Sequence, residues 1–220
     1  MVDEHLTELR SQQPGFVSRS FGTIAAFNAN GAMPHYRATA QSYARIHGDG
    51  LLLIDSGGQY LGGTTDITRV VPVGQVTPEQ KADYTAVLRA MIALSRLRFP
   101  KGVLSPMIDA VARAPLWERL AEYGHGTGHG VGYYLNVHEG PQVISYRAAP
   151  APHTAMQLGM ITSNEPGLYR PGRWGIRIEN LVCNQSAGAS EFGEFLQFET
   201  LTLCPIDTRC VDVAQMRPDE

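Results

Sequence analysis

Five residues of this chain have side chains that could jointly hold a pair of metal ions: Asp55, Asp66, His129, Glu165 and Glu179. They stand in the stretches LLLIDSGG, GTTDITR, GHGTGHGVG, TSNEPG and GIRIEN. Singly, each has an ordinary reading. Asp55 is a turn former in DSGG. Glu165 precedes the turn pair Pro166 and Gly167. Glu179 shares a strand face with Arg177, as a solvent-facing ion pair would. Together they are a donor set of four carboxylates and one imidazole. Such a set is hard and oxygen-rich and suits Mn2+ first, with Co2+, Fe2+ or Zn2+ as alternatives. Four negative charges balance two divalent cations. Carboxylates that bridge two ions hold them about 3.5–4 Å apart, where a shared water becomes a nucleophile near neutral pH.

The glycine-rich segment from His125 to Gly132 invites a phosphate-loop reading, but GxGxxG spacing is met in no register. The other reading is that the glycines let the backbone pass close to a site while His125 and His129 point into it. His138 follows nine residues after His129. The pair His138 and Glu139 does not extend to HExxH, which argues against a zincin helix.

The elements that must position these residues can be sketched from pattern. A short helix is expected over Glu4 to Arg10, a strand over Ser20 to Phe27 and a turn over Asn28 to Gly31. Gly50 to Ile54 reads as an apolar strand with a turn after it, and Asp66 to Val73 as the next strand. Asp66 lies eleven positions after Asp55. A hairpin would bring both to one end of a sheet, where two carboxylates repel unless a proton or cation lies between them. Thr77, Pro78 and Gln80 mark a helix start with a capping box, ended by Pro100 and Gly102. A second helix begins at Ser105 and Pro106 and is expected to break at Pro115. Later strands are expected near Met160 to Ser163, Gly175 to Cys183 and Phe198 to Leu203. Strands, then helices, then strands suggest an α+β fold with an antiparallel sheet.

Bulk properties narrow the class. A chain of 220 residues, 43% hydrophobic, suits one globular domain or two small ones. Net charge of −3 carries no basic footprint for nucleic acid or a membrane surface. The first ten residues are charged and lack the apolar core of a signal peptide. No apolar run approaches the roughly eighteen residues of a membrane span. Three cysteines without CxxC spacing argue against a disulfide framework, and a cytoplasmic setting is the simplest reading.

The motifs SFGTIAAFNANGAMPHY, LLLIDSGGQYLGGTTDITRV, GHGTGHGVGYYLNVHEGP, TSNEPGLY and GIRIENLV resemble those of the pita-bread metallopeptidases of family M24. Within that family they are most similar to the catalytic domain of cytosolic-type Xaa-Pro aminopeptidase (aminopeptidase P). They run from about Ser20 to Val182. The resemblance implies a curved antiparallel sheet flanked by helices, forming one catalytic domain over residues 1–220. It also implies that the family's opening helix, closing tail and N-terminal domains are missing. It implies Asp55 as a ligand to one metal, Asp66 and Glu179 as bridges, and His129 and Glu165 as ligands to the other. Glu165 would also orient or deprotonate the bridging water. His35, His125 and His138 match the family's substrate histidines and, with Glu165, would be catalytic. The implied substrates are peptides with proline in second position, whose tertiary amide is conformationally restricted. A homodimer is compatible with this reading.

Two alternatives stay open. The chain could be a pita-bread binding module without activity, although such a module usually loses ligands and all five stand here. It could also be a prolidase or a methionine aminopeptidase of the same fold.

Overall fold

The computed structural model describes residues 1–220. The chain opens with helix α1 (Val2–Ser11) and strand β1 (Phe16–Arg19), followed by β2 (Ile24–Phe27), β3 (Gly50–Ser56), β4 (Gly58–Tyr60), β5 (Gly63–Thr64) and β6 (Ile67–Val73). Helix α2 (Pro78–Ser95), β7 (Arg98–Pro100) and helix α3 (Asp109–Trp117) come next. The second half holds β8 (Gly128–His129), β9 (Val143–Ile144), β10 (Ile161–Asn164), β11 (Gly167–Arg170), β12 (Trp174–Arg177), β13 (Asn180–Ser190) and β14 (Gly193–Thr200). All strand pairs are antiparallel. The α+β class expected from the order of elements is the one adopted.

Two sheets carry the architecture. One has the order β2-β3-β6 and the other β10-β13-β14-β7. They meet where the Glu179 amide donates to the Thr68 carbonyl at 3.1 Å. In β6 every second residue (Thr68, Val70 and Pro72) is buried, the period-two pattern of a half-covered strand. Pro72 is tolerated because β6 is an edge strand. Helix α2 lies against the sheets and buries Tyr84, Val87, Leu88 and Met91 with Leu51, Leu53, Val70 and Ile176. A smaller cluster joins Leu94, Phe99, Ala112, Ile144 and Leu196.

Several local expectations need correction. The strand expected over Ser20 to Phe27 is confined to Ile24–Phe27. The turn after Ile54 is not a turn, because β3 continues through Asp55 to Ser56, paired with Thr68 and Ile67. Between β3 and β6 the chain makes a further hairpin, β4–β5, whose partner is β1. Helix α2 begins as expected, with both capping-box bonds between Thr77 and Gln80, but ends at Ser95. Pro100 disfavours helix in the residue before it, and Phe99 is buried opposite Leu196 as edge strand β7. Pro115 does not break α3. The one backbone bond it removes lies in the last turn, where Leu116 is wholly buried. The single strand expected over Gly175 to Cys183 is two, β12 and β13, separated at Ile178 and Glu179.

Gly175 shows how closely these parts approach. A Cβ there would overlap the carbonyl oxygen of Gly31 in the turn after β2. Gly175→Ala is expected to destabilise the protein by about 1–3 kcal/mol, the usual cost of overpacking. Urea unfolding checks this, and an unchanged midpoint would contradict the packing described.

Candidate metal centre

The site is assembled from strand ends. Asp55 lies in the central strand β3 opposite Thr68, and Asp66 immediately precedes β6. Asn164 and Asn180 pair at the end of the β10–β13 ladder. Glu165 and Glu179 are the residues just beyond that end, so antiparallel pairing alone sets them side by side. His129 ends β8, which Gly128 lets pack on the backbone of Ser163: a Cβ at Gly128 would overlap that carbonyl oxygen. The His129 amide donates to Ser163 Oγ at 2.9 Å, and the same hydroxyl donates to Glu165 Oε1 at 3.1 Å.

All the residues singled out from the sequence line one cavity of about 420 Å³: Asp55, Asp66, His129, Glu165 and Glu179 together with His35, His125 and His138. Ligand atoms of Asp55, Asp66 and Glu179 lie within 4.8 Å of one another, as do those of His129, Glu165 and Glu179. A third such group is Asp66, His129 and His138, so His138 also comes within ligand range. His129 Nε2 is 3.3 Å from Glu165 Oε1 and 3.5 Å from Asp66 Oδ2. Its Nδ1 is 3.0 Å from the Gly130 carbonyl. A carbonyl only accepts, so Nδ1 carries the proton and Nε2 is the nitrogen left for a ligand bond.

Sequence reasoning missed the residue that balances this charge. Arg177 is 3% exposed and does not pair with Glu179 at the surface. It reaches across the site instead. Its Nη2 donates to Asp55 Oδ2 at 2.6 Å, Nη1 to the Tyr169 hydroxyl at 2.8 Å and Nε to Thr68 Oγ1 at 3.2 Å. Thr68 Oγ1 in turn donates to Glu179 Oε2 at 2.8 Å. The alternation holds across the break in the strand, since Arg177 and Glu179 both line the cavity while Ile176 and Ile178 both enter the core; what fails is the expectation that this face meets solvent. Tyr169 was also missed. Its hydroxyl accepts from Arg177 and donates to His125 Nε2 at 2.8 Å, while His125 Nδ1 donates to the Gly126 carbonyl at 2.8 Å. Both nitrogens of His125 are therefore engaged. No side-chain signal in TSNEPGLY marks Tyr169; only the pairing of β11 with β12 places it beside Arg177.

The electrostatics of the metal-free site are those of crowded acids. Burial pushes Glu179 well above the usual carboxylate range, and the charges of Asp66, Glu165 and Asp55 add to it. Burial raises Asp55 as well, against the opposing charge of Arg177. Glu165 is pushed up to about 7 by burial, with His129 and Arg177 working the other way. Burial opposes a charged His129, but Asp66 and Glu165 outweigh it and its pKa rises. Burial drives His125 down to about 4, so it is neutral at pH 7. Asp55 Oδ1 and Glu179 Oε1 are buried with no hydrogen-bond partner. Orphaned carboxylate oxygens are costly, and here both belong to the group of three acids that includes Asp66. Two bare oxygens, an excess of acid and a free imidazole nitrogen fit a pair of divalent cations.

Comparison with known proteins agrees with this chemistry. Residues 1–184 match metallopeptidase family M24, and residues 194–220 match the C-terminal region of peptidase M24. Xaa-Pro aminopeptidase 1 of Dictyostelium discoideum is 47% identical over 221 residues, covering 100% of this chain and 35% of that protein. Aminopeptidase P2 of Arabidopsis thaliana is 46% identical, over 100% of this chain and 31% of its own length. The chain thus spans about a third of these curated relatives. Among solved structures, an X-prolyl aminopeptidase from Caenorhabditis elegans, described as a cytosolic enzyme with a di-nuclear active site, superimposes with a TM-score of 0.93. It shares 36% identity over 99% of this chain and 35% of that chain. A prolidase from Thermococcus sibiricus gives a TM-score of 0.75 at 29% identity, over 94% of this chain and 51% of its own. The fold is the curled pita-bread sheet.

Two outcomes follow from the charge balance. Saturating metal at about 100 times its dissociation constant is expected to add about 2.7 kcal/mol of stability over the chelated protein. Identical melting curves with Mn2+ and with excess chelator would contradict this. In chelator, Glu165→Gln is expected to be more stable than the parent. The raised Glu165 pKa means the parent's stability is fullest below the ordinary glutamate pKa and is lost as pH rises towards about 7. The advantage of the neutral glutamine therefore grows from about pH 4.5 to about pH 7, which melting curves across that range would register.

Proposed function

The chain belongs to metallopeptidase family M24, and we propose that residues 1–220 form the catalytic domain of a cytosolic metal-dependent Xaa-Pro aminopeptidase. It removes an N-terminal residue from peptides with proline in second position. The observation that carries this reading is the convergence of Asp55, Asp66, His129, Glu165 and Glu179, with orphaned oxygens on Asp55 and Glu179. Those five residues would hold two divalent ions, Mn2+ first by donor preference. When bound, the ions would supply Lewis acidity for a peptide carbonyl and would lower the pKa of a water.

The chain's own groups account for the remaining requirements. Hydrolysis adds a hydroxyl to the scissile carbonyl carbon and returns a proton to the prolyl nitrogen as the C–N bond breaks. Glu165 is the group placed to move that proton. Ser163 holds Oε1, leaving Oε2 to take a proton from the attacking water and deliver it to the leaving nitrogen. His35 and His138 line the cavity and make no side-chain hydrogen bond within the chain, so they are free to donate to the carbonyl oxygen as negative charge develops there. His125 holds Tyr169, and Tyr169 with Asp55 fixes Arg177 at the rear of the site.

The protein, chelated and then reloaded with Mn2+, is expected to cleave an X-Pro-Pro peptide after its first residue. Asp66→Asn and Glu179→Gln are each expected to lower kcat/KM at least about 100-fold, some 2.7 kcal/mol of barrier. Activity that survives both chelation and Asp66→Asn would refute the metal reading. Cleavage of X-Pro dipeptides alone, or of Met-Ala peptides in preference to X-Pro, would transfer the reading to prolidase or methionine aminopeptidase.

A further inference from the structure

Behind the site, away from the cavity, lies a second pair of charges that none of the proposed chemistry uses. Arg113 and Asp109 stand one turn apart on α3, and both are 0% exposed. Arg113 Nε donates to Asp109 Oδ2 at 2.8 Å. Its Nη1 donates to the Glu122 carboxylate and to the Tyr123 carbonyl at 3.0 Å. Its Nη2 donates to the His125 carbonyl at 2.7 Å. The guanidinium lies 3.9 Å from the centre of the Tyr123 ring, which packs on the ring of His125. Asp109 uses its other oxygen to accept from the Thr127 hydroxyl, and Oδ2 also accepts the Tyr146 amide at 2.7 Å.

These bonds lead forward into the site. The Thr127 carbonyl accepts the Glu165 amide at 2.8 Å. Two residues after Thr127 comes His129. The ion pair thus grips the segment carrying both histidines at His125 and Thr127, and through Thr127 it reaches the backbone of Glu165. Adhesion of α3 to the core does not require it, since Ala112 and Leu116 on the same helix are wholly buried in the two apolar clusters. A buried ion pair is in any case often replaceable by apolar residues at no loss of stability. A planar guanidinium with donors in a fixed fork offers something apolar contact does not, namely set distances to several acceptors at once.

We propose that Asp109 and Arg113 are positioning residues for the peptidase site: Arg113 sets the backbone at His125, Asp109 sets Thr127, and Thr127 sets Glu165. This rests on the reading of the site given above. Neither residue touches the cavity, so their effect is on the geometry of the groups that do. A displacement of about 1 Å in such groups costs on the order of 100-fold in turnover.

The test uses Arg113→Lys, the double variant Asp109→Leu with Arg113→Met, and Thr127→Val. Lysine keeps the charge, but three donors on a single nitrogen cannot span the four acceptors that the guanidinium fork reaches. The proposal expects kcat to fall about 30- to 100-fold in the first two, with KM within about threefold of the parent and two metal ions still bound per chain. Thr127→Val, which leaves the ion pair intact, is expected to lose about tenfold by the same route, and it serves where the buried variants do not fold. Hydrogen exchange at the Glu165 amide is expected to quicken about tenfold in each folded variant, about 1.4 kcal/mol of opening free energy. A merely structural pair would lower the melting temperature and leave kcat and the Glu165 amide of the folded protein unchanged, and that result would overturn the proposal. If the parent cleaves no X-Pro peptide, the functional reading fails instead, while the exchange measurement still decides whether the pair holds Glu165.

Discussion

Four carboxylates brought into one protein cavity cannot all remain ionised unless positive charge meets them. Asp55, Asp66, Glu165 and Glu179 share such a cavity, and the only permanent cation hydrogen-bonded to any of their carboxylate oxygens is Arg177, through Asp55. Much of the surrounding structure can be understood as what it takes to hold this arrangement against its own repulsion. Strand ladders do most of it. The registers Asp55 to Thr68 and Asn164 to Asn180 place two acids each at the ends of two sheets. The bond from the Glu179 amide to the Thr68 carbonyl ties those ends together. Hydroxyls of Thr68 and Ser163 then occupy one oxygen each of Glu179 and Glu165, leaving defined oxygens free.

Rigidity at the strand ends depends on what braces them from outside. Helix α2 is the main brace. Its Asp83 is wholly buried and accepts from Arg170 and Trp174, on either side of the turn in the β11–β12 hairpin that carries Tyr169 and Arg177. Asn164, just before Glu165, donates to the Met91 carbonyl and to Ser95 at the end of the same helix. Gly128 permits a second approach, bringing the histidine segment into contact with β10. The proposed metal ligands therefore sit on braced parts of the chain, as a pre-organised site requires.

What the sequence made legible was chemistry and the simplest local signals. Five candidate ligands in distinctive contexts point to one site, and the capping box of Thr77 and Gln80 is where it is expected. What stayed hidden depends on distant partners. Arg177 reads as the surface mate of Glu179 because alternation puts both on one face but cannot show that this face is buried around a cavity. Tyr169 acquires its role only through the register of β11 with β12. Asp109 and Arg113, spaced four apart, have the spacing of an ordinary exposed helix pair, and only burial beneath the histidine segment gives them weight. Local rules make Pro100 and Pro115 helix breakers, but the positions of Phe99 and Leu116 in the core decide where the elements end.

The central claim is that these five residues hold two divalent ions at once. Anomalous diffraction from crystals grown with Mn2+ tests it most directly. The account predicts two separate peaks in the cavity, one beside Asp55 and one beside His129 and Glu165, both adjoining Asp66 and Glu179. A single peak, or none among these residues, would contradict it.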